Sequence, residues 1–171
     1  MMIYIILFAL LVLSISSDLK TSKIKNLYVL FAAIAGMGIN TYSQGIEGIK
    51  MSIYGIIIPV VFFGIFFYTG LLGAGDIKLF SAIGALLGWE PGLYIMVYTF
   101  LTAGIFSLIK LIGTADLRKS FLLLGRDLKL GFYSGNFAEL QAGGARAKHI
   151  IKLSPFIAAG AGIQLLVNCL A

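Results

Sequence analysis

Asp76 stands in the stretch "LLGAGDIKLFSAIGALLG", from Leu71 to Gly88, and is the only acidic residue between Gly48 and Trp89. A carboxylate among apolar residues costs free energy whether its neighbours are lipid or protein, so its presence asks for a chemical reason. A second aspartate, Asp18, closes the first apolar run in "SDLKTSKIKN". The other carboxylates, Glu47, Glu90, Asp116, Asp127 and Glu139, fall in the connections between apolar runs. Two carboxylates sharing one site do not both ionise easily, and one keeps a proton. Such a pair activates water with its ionised member and protonates a leaving group with the other, as aspartic proteases do. It titrates as a unit, so neither aspartate is assigned as the base. Gly73 and Gly75 lack a Cβ, which permits unusual dihedrals and close approach of a substrate backbone to Asp76. Lys78 either favours ionisation of the pair or snorkels to the membrane interface. The purely structural readings are a juxtamembrane charge for Asp18 and a helix cap for Asp76.

Apolar helices must position these residues. The chain has 171 residues, 60% of them hydrophobic and 12% charged, with a mean hydropathy of +1.01. A soluble fold of that size does not hide so much apolar surface, so lipid is the expected solvent. The expectation is an all-α polytopic membrane protein, a single domain over residues 1–171. Its six transmembrane helices are predicted at 2–17, 27–42, 51–72, 76–89, 92–112 and 154–170. The first lacks the basic flank and cleavage site of a signal peptide and reads as a retained span. The fourth is only about 21 Å long at 1.5 Å per residue. Residues 73–76 are then expected inside the membrane region as broken backbone, which survives only when buried in protein or facing water. Pro59 is expected to kink the third helix. Ser154 and Pro155 read as the cap and first residue of the sixth.

Charge sets the orientation. Lys20, Lys23, Lys25, Lys78, Lys110, Arg118, Lys119, Arg126, Lys129, Arg146, Lys148 and Lys152 fall on one side of this topology, and Lys50 alone on the other. The rich side is expected in the cytoplasm, with both termini outside and both aspartates near the inner face. The net charge of +6 is thereby accounted for without a nucleic-acid partner. In the connection 113–153, Leu117, Phe121, Leu124 and Leu128 share a helical face, as in a basic amphipathic helix on the inner leaflet. Gly84 and Gly88, and the small residues at 158–162, suit close helix packing. One cysteine, Cys169, excludes an intramolecular disulfide framework and a cysteine-rich zinc site. His149 has no nearby ligand set; no metal or cofactor is expected.

"GAGDIKLFSAIGALLG" resembles the GxGD signature of the type IV prepilin peptidases and preflagellin peptidases. "DLKTSKIKN" is similar to their first-aspartate segment and "SPFIAAGAG" to the start of their last helix, in the same order. The resemblance implies an intramembrane aspartic endopeptidase with Asp18 and Asp76 as catalytic dyad and Gly73 and Gly75 shaping the site. Its substrate would be a prepilin-like protein, cut at the cytoplasmic face of the inner membrane to remove a short basic leader. Two departures stand out. Ile24-Lys25-Asn26 replaces a frequent Ile-Pro-Asn, which predicts a differently shaped loop after Asp18. The cysteine-paired insert associated with N-methylation has no counterpart, which is similar to the short, peptidase-only branch. A different class, a small proton- or cation-coupled transporter using Asp76, shares the signature of an acid on a glycine-interrupted segment. The oligomeric state is not legible.

Overall fold

The computed structural model describes residues 2–21, 24–68, 72–113 and 152–170. They form six helices: α1 (Met2–Thr21), α2 (Asn26–Gln44), α3 (Ile46–Tyr68), α4 (Ala74–Leu87), α5 (Trp89–Gly113) and α6 (Ser154–Leu170). The amphipathic segment expected within 113–153 lies outside the described residues.

Two single glycines make the tightest connections. Gly45, at φ 61°, donates its N–H to the Thr41 carbonyl at 2.8 Å and closes α2. Gly88, at φ 91°, does the same to Gly84 at 2.8 Å and closes α4. A positive φ is costly for any residue with a Cβ, so glycine is the residue that turns the chain here. The following helices start at once. α3 therefore begins five residues before the predicted position, and α5 takes Pro91 into its first turn, where a missing N–H leaves no bond unmade.

α4 is the centre of the bundle. It packs on α1, α2, α3 and α5, and every residue from Leu79 to Leu86 is buried. Apolar residues all round a helix mark this surrounded position. The closest crossing is with α3: a Cβ on Gly55 would collide with the Gly84 carbonyl, and one on Gly84 with the Gly55 carbonyl. Pro59 lies four residues after Gly55 and offers it no N–H, so the freed Gly55 carbonyl faces Gly84 across the crossing. α3 runs through Pro59 as one helix. A Cβ on Gly36 of α2 would stand 2.7 Å from Leu86 Cα, and one on Gly160 of α6 would stand 2.6 Å from Thr99 Oγ1 of α5. The small-residue faces expected from the sequence are thus packing surfaces.

Polar groups inside this bundle are tied. Asn40 Nδ2 donates to Ser52 Oγ at 2.9 Å, the Ala85 carbonyl at 3.0 Å and the Leu86 carbonyl at 3.2 Å. Ser52 Oγ donates to the same Ala85 carbonyl at 3.0 Å. Two of the four carbonyls that the end of α4 leaves without helical partners are thereby satisfied away from water.

The outer surface is the reverse of a soluble protein's. Phe8, Phe31, Ile34, Val61, Phe62, Leu101 and Ile109 are exposed, while Ser14, Asp18, Asn40, Ser52, Thr99 and Gln164 are buried. α1, α3 and α5 are long and apolar enough to cross a bilayer, and α6 is a shorter apolar helix. An apolar exterior of this extent belongs to a membrane protein.

Three boundaries differ from expectation in ways that matter to the site. α1 continues through Asp18 to Thr21, so Asp18 sits inside its last turn. α4 begins at Ala74, so the expected broken backbone is confined to Gly73 and its predecessor Leu72 among the described residues. In α6, the Leu153 carbonyl accepts from Phe156 at 2.9 Å and Ile157 at 3.0 Å. Leu153 is therefore the cap, Ser154 is the first helical residue, and the Ser154 hydroxyl is buried without a hydrogen-bond partner among the described residues.

Candidate active site

Four helix ends converge at one end of the bundle: the last turn of α1 and the first turns of α2, α4 and α6. The contacts that define this convergence are side-chain specific. Asp18, 9% exposed, projects from α1. Asp76, partly buried, projects from the first turn of α4 and lies within electrostatic reach of Asp18. The two aspartates that the sequence singled out, 58 residues apart in the chain, thus lie at the same end of the bundle within electrostatic reach of each other.

Asp76 is the third residue of its helix, and Gly73 is the cap, with extended backbone at φ −76° and ψ 144°. The Asp76 carboxylate turns back toward the Gly73 amide, as a third-position acid does in a capping box. The capping role and proximity to Asp18 therefore coexist in one side chain. Of the two uses expected for the glycines, unusual dihedrals are not seen: neither Gly73 nor Gly75 has a positive φ. Their contribution is space. A Cβ on Gly73 would stand 3.2 Å from Asp76 Oδ2, tight enough to displace the carboxylate, whereas one on Gly75 would meet Ile24 at 3.5 Å, an ordinary contact.

Lys78 donates to Asn26 Oδ1 at 3.1 Å and so joins the first turn of α4 to that of α2. Lys25 occupies the place of the frequent proline with φ −69° and ψ 124°, dihedrals a proline would also adopt. The substitution of lysine for proline therefore demands no different backbone at that residue. Lys25 also lies 5.7 Å from the centre of the Tyr28 ring, within cation–π range.

One turn beyond Asp76 on α4 stands an aromatic cluster. Phe80 follows Asp76 by four residues and lies one turn deeper on the same face. Its ring is 5.3 Å from that of Phe63 on α3, which is 5.3 Å from Phe100 on α5. On the side of α1, the Lys152 ammonium donates to the Asp18 main-chain carbonyl at 2.8 Å and to that of Leu19 at 3.0 Å. The sequence offered a signal for Asn26, which lies in the segment after Asp18, but none for Lys152 or for the Phe63–Phe100 cluster.

With this geometry in hand, comparison identifies the class. The sequence profile of the type IV leader peptidase family matches residues 5–108, more than half of the chain, covering nearly all of α1–α5 and both aspartates. The chain belongs to the type IV leader peptidase family. Among curated proteins and solved structures there is no match.

Proposed function

We propose that the chain is an intramembrane aspartic endopeptidase that removes the basic leader from prepilin-like proteins at the cytoplasmic face of the inner membrane. The observation that carries the reading is the meeting of Asp18 and Asp76 at one end of a helical bundle, within a chain of a leader-peptidase family. In this reading the six helices all span, with α4 shielded from lipid by its neighbours and both termini outside. Lys20, Lys25, Lys78 and Lys152 lie at the aspartate end, as a cytoplasmic face requires. The bilayer and the substrate are the only partners invoked, and the chemistry needs no cofactor.

The dyad holds one proton between two carboxyls. The ionised member takes a proton from water as its oxygen attacks the scissile carbonyl carbon. The protonated member gives its proton to the departing amine, so the peptide C–N bond breaks and the dyad is again singly protonated. Gly73 leaves Asp76 room to adopt this position, and the aromatic cluster one turn beyond it excludes water from that side. Gly75 and Lys78 shape the approach, the first by leaving the face beside Asp76 without a side chain and the second by clamping α4 to α2.

The test is leader cleavage in reconstituted vesicles, read beside proton flux. Wild type is expected to cut a leader-bearing substrate. Asp18→Asn and Asp76→Asn should each lose about a thousandfold in rate, and Glu47→Gln, at the other end, should cut normally. Vesicles that fail to cut yet show proton flux dependent on Asp76 would replace the peptidase reading with the transporter.

A further inference from the structure

The last four main-chain carbonyls of an α-helix have no partner within it. In α1 the carbonyl of Leu19 is one of them, and that of the buried Asp18 directly precedes it. Lys152 donates to both, at 2.8 Å to Asp18 and 3.0 Å to Leu19, from 134 and 133 positions along the chain. It stands two residues before α6, whose start it thereby ties to the end of α1. A cation at a helix C-terminus also meets the negative end of the helix dipole.

Terminal turns fray unless their free groups are held, and an aspartate in a fraying turn does not keep a fixed distance from its partner. We infer that Lys152 is a positioning residue for Asp18: it holds the last turn of α1 at the height where Asp18 meets Asp76. The inference rests on the reading of these two aspartates as the catalytic pair. Lys152 grips main-chain oxygens, so the clamp survives Asp18→Asn and is separable from the carboxyl chemistry.

The experiment compares full-length Lys152→Met, Lys152→Arg and Asp18→Asn in the vesicle cleavage assay, with kcat, KM and a melting curve for each. A displacement of about 1 Å at a reacting group lowers the rate by up to about a hundredfold. Lys152→Met is therefore expected to lower kcat by about ten- to a hundredfold, leave KM close to wild type and stay folded. Lys152→Arg, which restores a cationic donor, should recover most of kcat. A kcat near wild type for Lys152→Met, a loss confined to KM, or a loss that arginine does not recover overturns the role. If Lys152→Met does not fold, Lys152→Gln, neutral and too short to reach both carbonyls, is read by the same criteria. Normal cleavage by Asp18→Asn would instead overturn the dyad itself, so the two failures are distinct.

Discussion

At the scale of single residues, Gly73 and Gly75 are a controlled pair. Both belong to the GxGD segment, yet a Cβ at 73 meets Asp76 Oδ2 at 3.2 Å while one at 75 meets only Ile24 at 3.5 Å. Gly73→Ala should lower cleavage about tenfold or more through a displaced carboxylate, with little change in melting temperature. Gly75→Ala sits within α4, where replacing glycine by alanine gains up to about 1 kcal/mol of helix propensity. Its melting temperature should hold or rise. A folded Gly75→Ala that does not cleave would place the substrate backbone against that face. The sequence made the two aspartates legible because carboxylates in apolar surroundings are conspicuous. It left two purposes open for the glycines, since composition does not distinguish a need for dihedral freedom from a need for space.

At the scale of elements, apolar runs announced all six helices described, and their ends were harder. α1 runs to Thr21 because its backbone remains helical after its side chains turn polar at Ser17, Asp18 and Lys20. A hydropathy reading stops at that change, whereas hydrogen bonding does not. The early start of α3 follows from Gly45, whose positive φ completes the turn in one residue. Lys152 was out of reach because a contact across 134 positions leaves no local pattern. The α3–α4 crossing supplies the prediction at this scale. Gly84→Ala forces a Cβ against the Gly55 main chain, and overpacking of this kind costs about 1–3 kcal/mol. Gly104→Ala on α5 meets nothing within 4 Å and serves as control. Thermal melts in detergent should show a loss for the first and none for the second; equal melting temperatures would contradict the crossing.

At the scale of the whole molecule, the bundle is apolar outside as well as inside, with hydroxyls, two amides and a carboxylate buried among its core side chains. Composition made the membrane legible, and the count of basic residues predicts which way the bundle faces. That orientation is tested by cysteine labelling. Cys169 is exposed and must first be replaced, as Cys169→Ser. In that background an impermeant reagent added outside should label Gln44→Cys but not Gly143→Cys. The opposite pattern would move the aspartates to the outer face and remove the access to a cytoplasmic leader on which the proposed function depends.

The most direct measurement asks whether Asp18 and Asp76 act as one unit. Residues that share a step are strongly non-additive, so the variant carrying both Asp18→Asn and Asp76→Asn should cleave no more slowly than either single variant. Asparagine keeps the size of the side chain but neither takes up nor releases the proton, so all three proteins should remain folded. Melting curves beside the cleavage rates establish that. Three equally inactive, folded proteins are expected. A folded Asp76→Asn that cleaves at nearly the wild-type rate would contradict the dyad.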